Sequence, residues 1–206
     1  MYAIRDGESY RVRKLADGNV WMTENLRLIS TSDITVKPID SDVTSSFTLK
    51  ASNSGTWCTD QTAECYNQSY ALDSGRDDYG AYYNWYAATA GTGTYDTVSG
   101  NAPSSICPKG WRLPTGGSGG EFRVFSEKYN TVMLMLDAPN IVLSGRYHED
   151  RYMDQPRRAF LWSCTPVNNI STFRLQVVNL EEDQHITPGT TGYDKSEGFS
   201  VRCVNK

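Results

Sequence analysis

The chain holds only two histidines, His148 and His185, and no Cys-x-x-Cys pair. Zinc is left without the closely spaced ligands that its tetrahedral sites use. Neither a Gly-x-Ser-x-Gly elbow nor a phosphate-binding loop occurs, so neither a serine hydrolase nor a nucleotide-dependent enzyme is indicated. No apolar run approaches the roughly 18–20 residues that cross a bilayer. The 20 basic residues are scattered and the formal charge is -4, without the basic stripe that nucleic acid binding needs. No leader is evident, because Met1 is followed directly by Tyr2 and charged residues; an export signal is expected to have been removed.

What is present is a chain of 206 residues, long enough to bury a real core, with apolar residues at 38% and tyrosine common at 13. Tyrosine gives contact area with a polar tip and suits both exposed recognition surfaces and β-sheet. Cysteines stand at 58, 65, 107, 164 and 203, an odd set that permits several pairings with one thiol left over. Cys58 and Cys65 enclose a short polar turn and can bridge if the chain reverses there. Cys107 with Cys203 would close a loop of about a hundred residues, a constraint of up to ~4–5 kcal/mol by chain entropy. Cys164 is then the odd residue, read as a small buried hydrophobe. Bridges of this kind imply an extracytoplasmic home.

Along the chain, residues 10–15 alternate, residues 16–19 turn at Gly18, and Val20-Trp21-Met22 opens a second run; this predicts a β-hairpin. Residues 30–56 are rich in Ser, Thr and Asp and read as a long surface excursion. Over 79–90 the spacing of Tyr82, Trp85, Tyr86 and Thr89 predicts a short helix packed through that stripe and ended by Gly91. A second helix is expected over 121–129, with Phe122, Phe125 and Tyr129 inward. Strands are expected over 141–143, 160–163, 172–178 and 199–204, the last with Phe199, Val201 and Cys203 on the buried face. Trp21, Trp85, Trp111 and Trp162 are assigned to the core. Without internal repeats or linkers, residues 1–206 read as one α+β domain.

The strongest candidate for function is the stretch 146–158, which mixes Arg146, Tyr147, His148, Asp150, Arg157 and Arg158 without helix or strand period. Arginine and tyrosine dominate interface energetics more than most residues. Phe160, Asn168, Asn169, Tyr193 and Lys195 would join the same exposed face if the C-terminal strand packs beside it. His148 beside Glu149 and Asp150 could serve acid–base chemistry, but a histidine in such a loop is more often solvated. Glu181-Glu182-Asp183 offers oxygen ligands for a hard cation, although consecutive acids point in different directions.

Four segments carry a resemblance: residues 17–26 (DGNVWMTENL), 82–88 (YYNWYAA), 107–115 (CPKGWRLPT) and 198–203 (GFSVRC). In this order they resemble the Fibrobacter succinogenes major paralogous domain, and GWRLPT is also similar to the formylglycine-generating enzyme family. The resemblance implies a C-type-lectin-like fold: two short helices, small antiparallel sheets and long irregular loops. It also implies an exported bacterial protein, on a cell surface or a phage particle. The GFSVRC ending is similar to the variable proteins of diversity-generating retroelements. There the residues preceding it bind ligand; the matching positions are 145–151, 155–160, 165–169 and 193–197. Pro156 and Ala159 stand where that pattern has glycines, and Cys164 where it has serine. The implied function is non-catalytic binding of a protein or glycan on another cell surface. A membrane would be involved only through a removed lipid anchor or a partner region. The alternatives are a lectin using calcium, the one cofactor left open, and an oxidase of the formylglycine-generating type. The lectin strings Glu-Pro-Asn, Gln-Pro-Asp and Trp-Asn-Asp are absent, and Cys164 lacks the second thiol nearby that such an oxidase needs.

Overall fold

The computed structural model describes residues 2–5, 7–51, 57–58 and 60–205. The chain opens with strands β1 (Tyr2–Arg5), β2 (Glu8–Lys14), β3 (Val20–Met22), β4 (Ile34–Val36) and β5 (Phe47–Leu49). Helix α1 (Ala63–Tyr66), β6 (Ala71–Asp73), β7 (Ala81–Tyr83), helix α2 (Trp85–Ala88) and β8 (Trp111–Arg112) follow. Two more helices, α3 (Glu121–Lys128) and α4 (Val132–Asp137), precede β9 (Arg146–His148) and β10 (Arg151–Met153). The last strands are β11 (Arg158–Pro166), β12 (Ser171–Asn179), β13 (Gln184–Asp194) and β14 (Val204–Asn205). The protein is thus a mixed α+β structure of small antiparallel sheets with short helices.

Two sheets organise it. One has the order β1-β2-β3-β14-β8, so the C-terminal strand lies between the N-terminal hairpin and the CPKGWRLPT segment. The other is the antiparallel meander β11-β12-β13. Along β11 alternate residues face opposite ways, and both faces are covered. Ala159 and Leu161 pack with Leu175, Val177, Phe122 and Phe125 under α3. Phe160, Trp162 and Cys164 pack with Tyr83, Trp85 and Phe199 on the other side. Trp162 and Phe199 have ring centroids 4.1 Å apart. Double coverage explains the nearly unbroken apolar run in β11, since a strand with one wet face would alternate with polar residues.

The Cys107–Cys203 bridge joins the two ends of the frame across 96 residues, with Cα atoms 5.9 Å apart. The Cys58–Cys65 bridge clamps α1, and Cys164 is free and buried. Both pairings agree with the spacing argument. Beside Cys203, Arg202 is only 1% exposed. Its guanidinium donates from Nε to Asn25 Oδ1 at 2.8 Å, and from its Nη atoms to the carbonyls of Pro139 and Asn140 at 2.6 and 2.5 Å. Burial pulls its pKa down to about 9. One side chain thereby fastens segments from three distant parts of the chain.

Several sequence expectations change. The helix expected over 79–90 is confined to α2, because Gly80 takes a positive φ of 76° and Asn84 caps the helix, accepting from Ala87 N. Tyr82 is buried from strand β7 instead, donating its hydroxyl to Ser144 O. The excursion 30–56 contains the β4–β5 hairpin, whose Val36 and Leu49 are fully buried. No strand forms at 141–143, and of 199–204 only Val204 belongs to a ladder of any length. The rest of that tail gives its main-chain groups in turn to Tyr83, Phe160, Leu26 and Met22, so no single neighbour defines a strand. Strand β13 and helix α4 carry no clear period; Pro188 and Gly189 interrupt the former. Trp111 is half-buried against the core rather than enclosed in it.

Candidate recognition face

The hairpin β9–β10 turns at Glu149 and Asp150, both at positive φ (47° and 59°). Two such residues in succession form the tight reversal that matches strand twist. Its base is fixed by main-chain bonds. Tyr147 pairs with Gly198, exchanging N–H to O bonds of 2.8 Å in both directions, and Gly145 N donates to Arg158 O at 2.7 Å. A Cβ on Gly198 would lie 2.8 Å from Tyr147 Cβ, and one on Gly145, at φ 70°, would lie 2.2 Å from Met153 O. These glycines let the hairpin lie flat on the frame.

Arg146 is the hub. Its side chain is 13% exposed; Nε donates to Asp154 Oδ2 at 2.9 Å, and Nη1 to Tyr193 Oη at 2.6 Å and Glu197 Oε2 at 3.1 Å. His148 Nδ1 lies 2.8 Å from Glu197 Oε1, and Arg158 lies 3.4 Å from Asp154. Desolvation raises the Glu197 carboxyl to about 7, outweighing the pull of Arg146. Behind this group Arg174, 5% exposed, donates to Thr191 O and Gln176 Oε1 and stacks over the Tyr193 ring at 4.6 Å. Desolvation lowers its pKa to about 10.

The structure therefore gathers Arg146, His148, Arg158 and Tyr193, and leaves Asp150 and Arg157 exposed beside them. Three expected contact residues are corrected. Tyr147 is 2% exposed, between Trp57 and Tyr152 with centroids at 5.0 and 5.4 Å. Phe160 is 1% exposed and stacked on Phe199 at 4.9 Å. Lys195 is 2% exposed, its ammonium donating to Thr94 O and Thr97 O and lying 4.5 Å from the Trp85 ring. In each case another layer covers the side chain: Trp57 and Tyr152 over Tyr147, Phe199 over Phe160, and Trp85 with the carbonyls of Thr94 and Thr97 over Lys195. Asn168 and Asn169 serve another neighbourhood: Asn168 Oδ1 accepts from Ile170 N and Ser171 N, and Asn169 reaches Tyr95 O.

Asp154 and Arg174 carry no sequence signal that marks them as members of this network, whereas Glu197 falls within the 193–197 stretch marked by the resemblance. Elsewhere, Glu181-Glu182-Asp183 lies on the exposed β12–β13 turn, with Asp183 taken by His185 at 2.6 Å. No group of three or more potential metal ligands is gathered among the described residues. The Cys164 thiol is pushed up to about 11 by burial, which keeps it protonated and weakly nucleophilic.

The family model described as the Fibrobacter succinogenes major domain matches residues 16–118, half of the chain. Three of the four sequence segments lie inside that match; the fourth, 198–203, lies beyond it. No curated protein and no solved structure matches the chain.

Proposed function

The chain belongs to the Fibrobacter succinogenes major domain family, and we propose that this member is a non-catalytic binding domain of C-type-lectin-like architecture that recognises a protein on another surface. Its two disulfides belong to an oxidising, extracytoplasmic compartment, and among the described residues no helix is long and apolar enough to cross a membrane. The observation that carries the reading is the separation of backbone from side chain over residues 145–158. Main-chain bonds to Gly198 and Arg158 hold the hairpin, while Asp150, Arg151, Tyr152 and Arg157 stand exposed on it. Such a surface changes its contacts without changing its shape, and a rigid presentation lowers the ordering cost of binding. That is the property a diversified variable protein of the retroelement type needs, and the GFSVRC ending supports the same reading. The buried, protonated Cys164 lends no support to oxidase chemistry.

The test is a surface-protein array with a glycan array beside it, probed with the native domain and the double variant Arg151→Ala/Arg157→Ala. A protein ligand whose binding the variant loses, at unchanged melting temperature, is the expected result. A ligand bound equally by both overturns the assignment of this face, and EDTA-sensitive glycan binding would replace it with a calcium lectin.

A further inference from the structure

A second recess, of about 1180 Å³, lies on a different part of the protein. It is walled by β2, by segment 24–29, by Ile34 of β4, by Asp77 and Asp78, and by Asn140 and Val142. Its walls are fixed by the buried Arg202, which binds both Asn25 and the carbonyl of Asn140, and by Asn25, which donates to Tyr79 O at 2.9 Å. The recess is therefore preformed. It exceeds the roughly 300–1,000 Å³ of ordinary small-molecule pockets, so an extended occupant fills it better.

Its chemistry is uneven. Tyr10 and Leu28 are buried at its floor, with Ile29, Ile34 and Val142 half-buried around them. The rim carries four carboxylates, Glu8, Glu24, Asp77 and Asp78, against two guanidiniums, Arg11 and Arg27. Glu24 is satisfied by Arg11 at 2.9 Å, and Asp78 by Arg76 at 3.0 Å. Glu8 holds Arg27 only at 3.5 Å, and Asp77 makes no ion pair among the described residues. Three ion pairs thus leave Asp77 as the unmatched carboxylate of the rim among the described residues, with Glu8 the most loosely held of the paired ones. Arg27 lies over the Tyr10 ring at 4.7 Å and so covers that aromatic face itself.

We propose that this recess binds an extended basic peptide segment, with lysine or arginine side chains directed to Glu8 and Asp77 and aliphatic side chains laid on the half-buried Ile29, Ile34 and Val142. The site is independent of the recognition face around Arg146, and either assignment stands if the other fails. Complementary charge sets which peptide enters, and the apolar floor holds it.

The experiment measures fluorescence anisotropy of a labelled nonapeptide alternating lysine with leucine, beside its glutamate-for-lysine counterpart. The native domain is expected to bind the lysine peptide saturably and not the glutamate peptide. Glu8→Lys/Asp77→Lys should weaken binding by at least about tenfold, and the neutral Glu8→Gln/Asp77→Asn should fall between. Glu181→Lys/Glu182→Lys makes the same change of net charge on an exposed turn and should leave binding unchanged. The residues altered are all exposed, and equal melting temperatures confirm intact folding. Absence of saturable binding, equal binding of both peptides, or equal weakening by the two charge reversals overturns the proposal.

Discussion

Two arginines lie below the surface of this protein in different company. Arg202 is enclosed, and its oxygen partners are Asn25 and two main-chain carbonyls. Arg146 lies at the edge of solvent, and its partners are two carboxylates and a phenol. A carbonyl cannot be exchanged without moving the backbone that bears it, whereas a carboxylate can be replaced or can take up a proton. The first arrangement therefore ties architecture together, and the second makes an adjustable surface. Two like charges drawn in from the surface serve opposite ends because their partners differ.

The contrast can be broken by experiment. Replacing Cys107 and Cys203 with serine should cost about 4–5 kcal/mol, because a loop of nearly a hundred residues is released; chemical denaturation would read it. Phe160→Ala should cost about 3–5 kcal/mol by opening a cavity between Trp162, Phe199 and Tyr193; a loss below about 1 kcal/mol would return Phe160 to the exposed face. Arg202→Leu strands three acceptors, two of them in buried bonds, and should cost about 3 kcal/mol or more, with a melting temperature lower by some 6–12 °C for a chain of this size, at every pH from 5 to 8.

Arg146→Leu should behave differently. It leaves Glu197 and Asp154 facing each other, but Glu197 can stay protonated, so the destabilisation should shrink at pH 5 and grow toward pH 8. The direction follows from linkage. In the folded chain the carboxyl is raised from 4.5 to about 7, so between those values the folded state holds more protons than the unfolded one. The contribution of this group to stability is then greatest below about pH 4.5 and is lost as pH rises through 7. Glu197→Gln should flatten the dependence, and a pH-independent cost for Arg146→Leu would erase the distinction between the two arginines. Arg157→Ala, on the exposed turn, should change stability by no more than about 0.5 kcal/mol, as thermal melts can verify.

Some of this was legible in advance. The hairpin at residues 10–22, the helix carrying Phe122 and Phe125, and both disulfides follow from periodicity, turn chemistry and spacing, which act over a few residues or through one bond. The helix expected across 79–84 failed because Asn84, a good N-cap, starts a helix where the pattern of Tyr82 and Trp85 suggests one already under way. Residues 146–158 do bring Asp150, Arg151 and Arg157 to the surface, yet Tyr147, Phe160 and Lys195, expected on the same face, are buried. Polar and aromatic residues in an irregular stretch give no sign of which side another layer will cover.

Covalent spacing and short-range pattern were enough to define an oxidised frame, with its hairpin, its aromatic helix and its buried tail, because each depends on neighbours that the chain order supplies. Which residues of 146–158 and 193–197 meet solvent, and where the unmatched carboxylate of the second recess lies, came only with folding. Those outcomes depend on distant segments, Trp57 over Tyr147, Phe199 against Phe160 and Arg202 between Asn25 and Asn140, and solvent exposure is a property of the layer above a residue rather than of the residue.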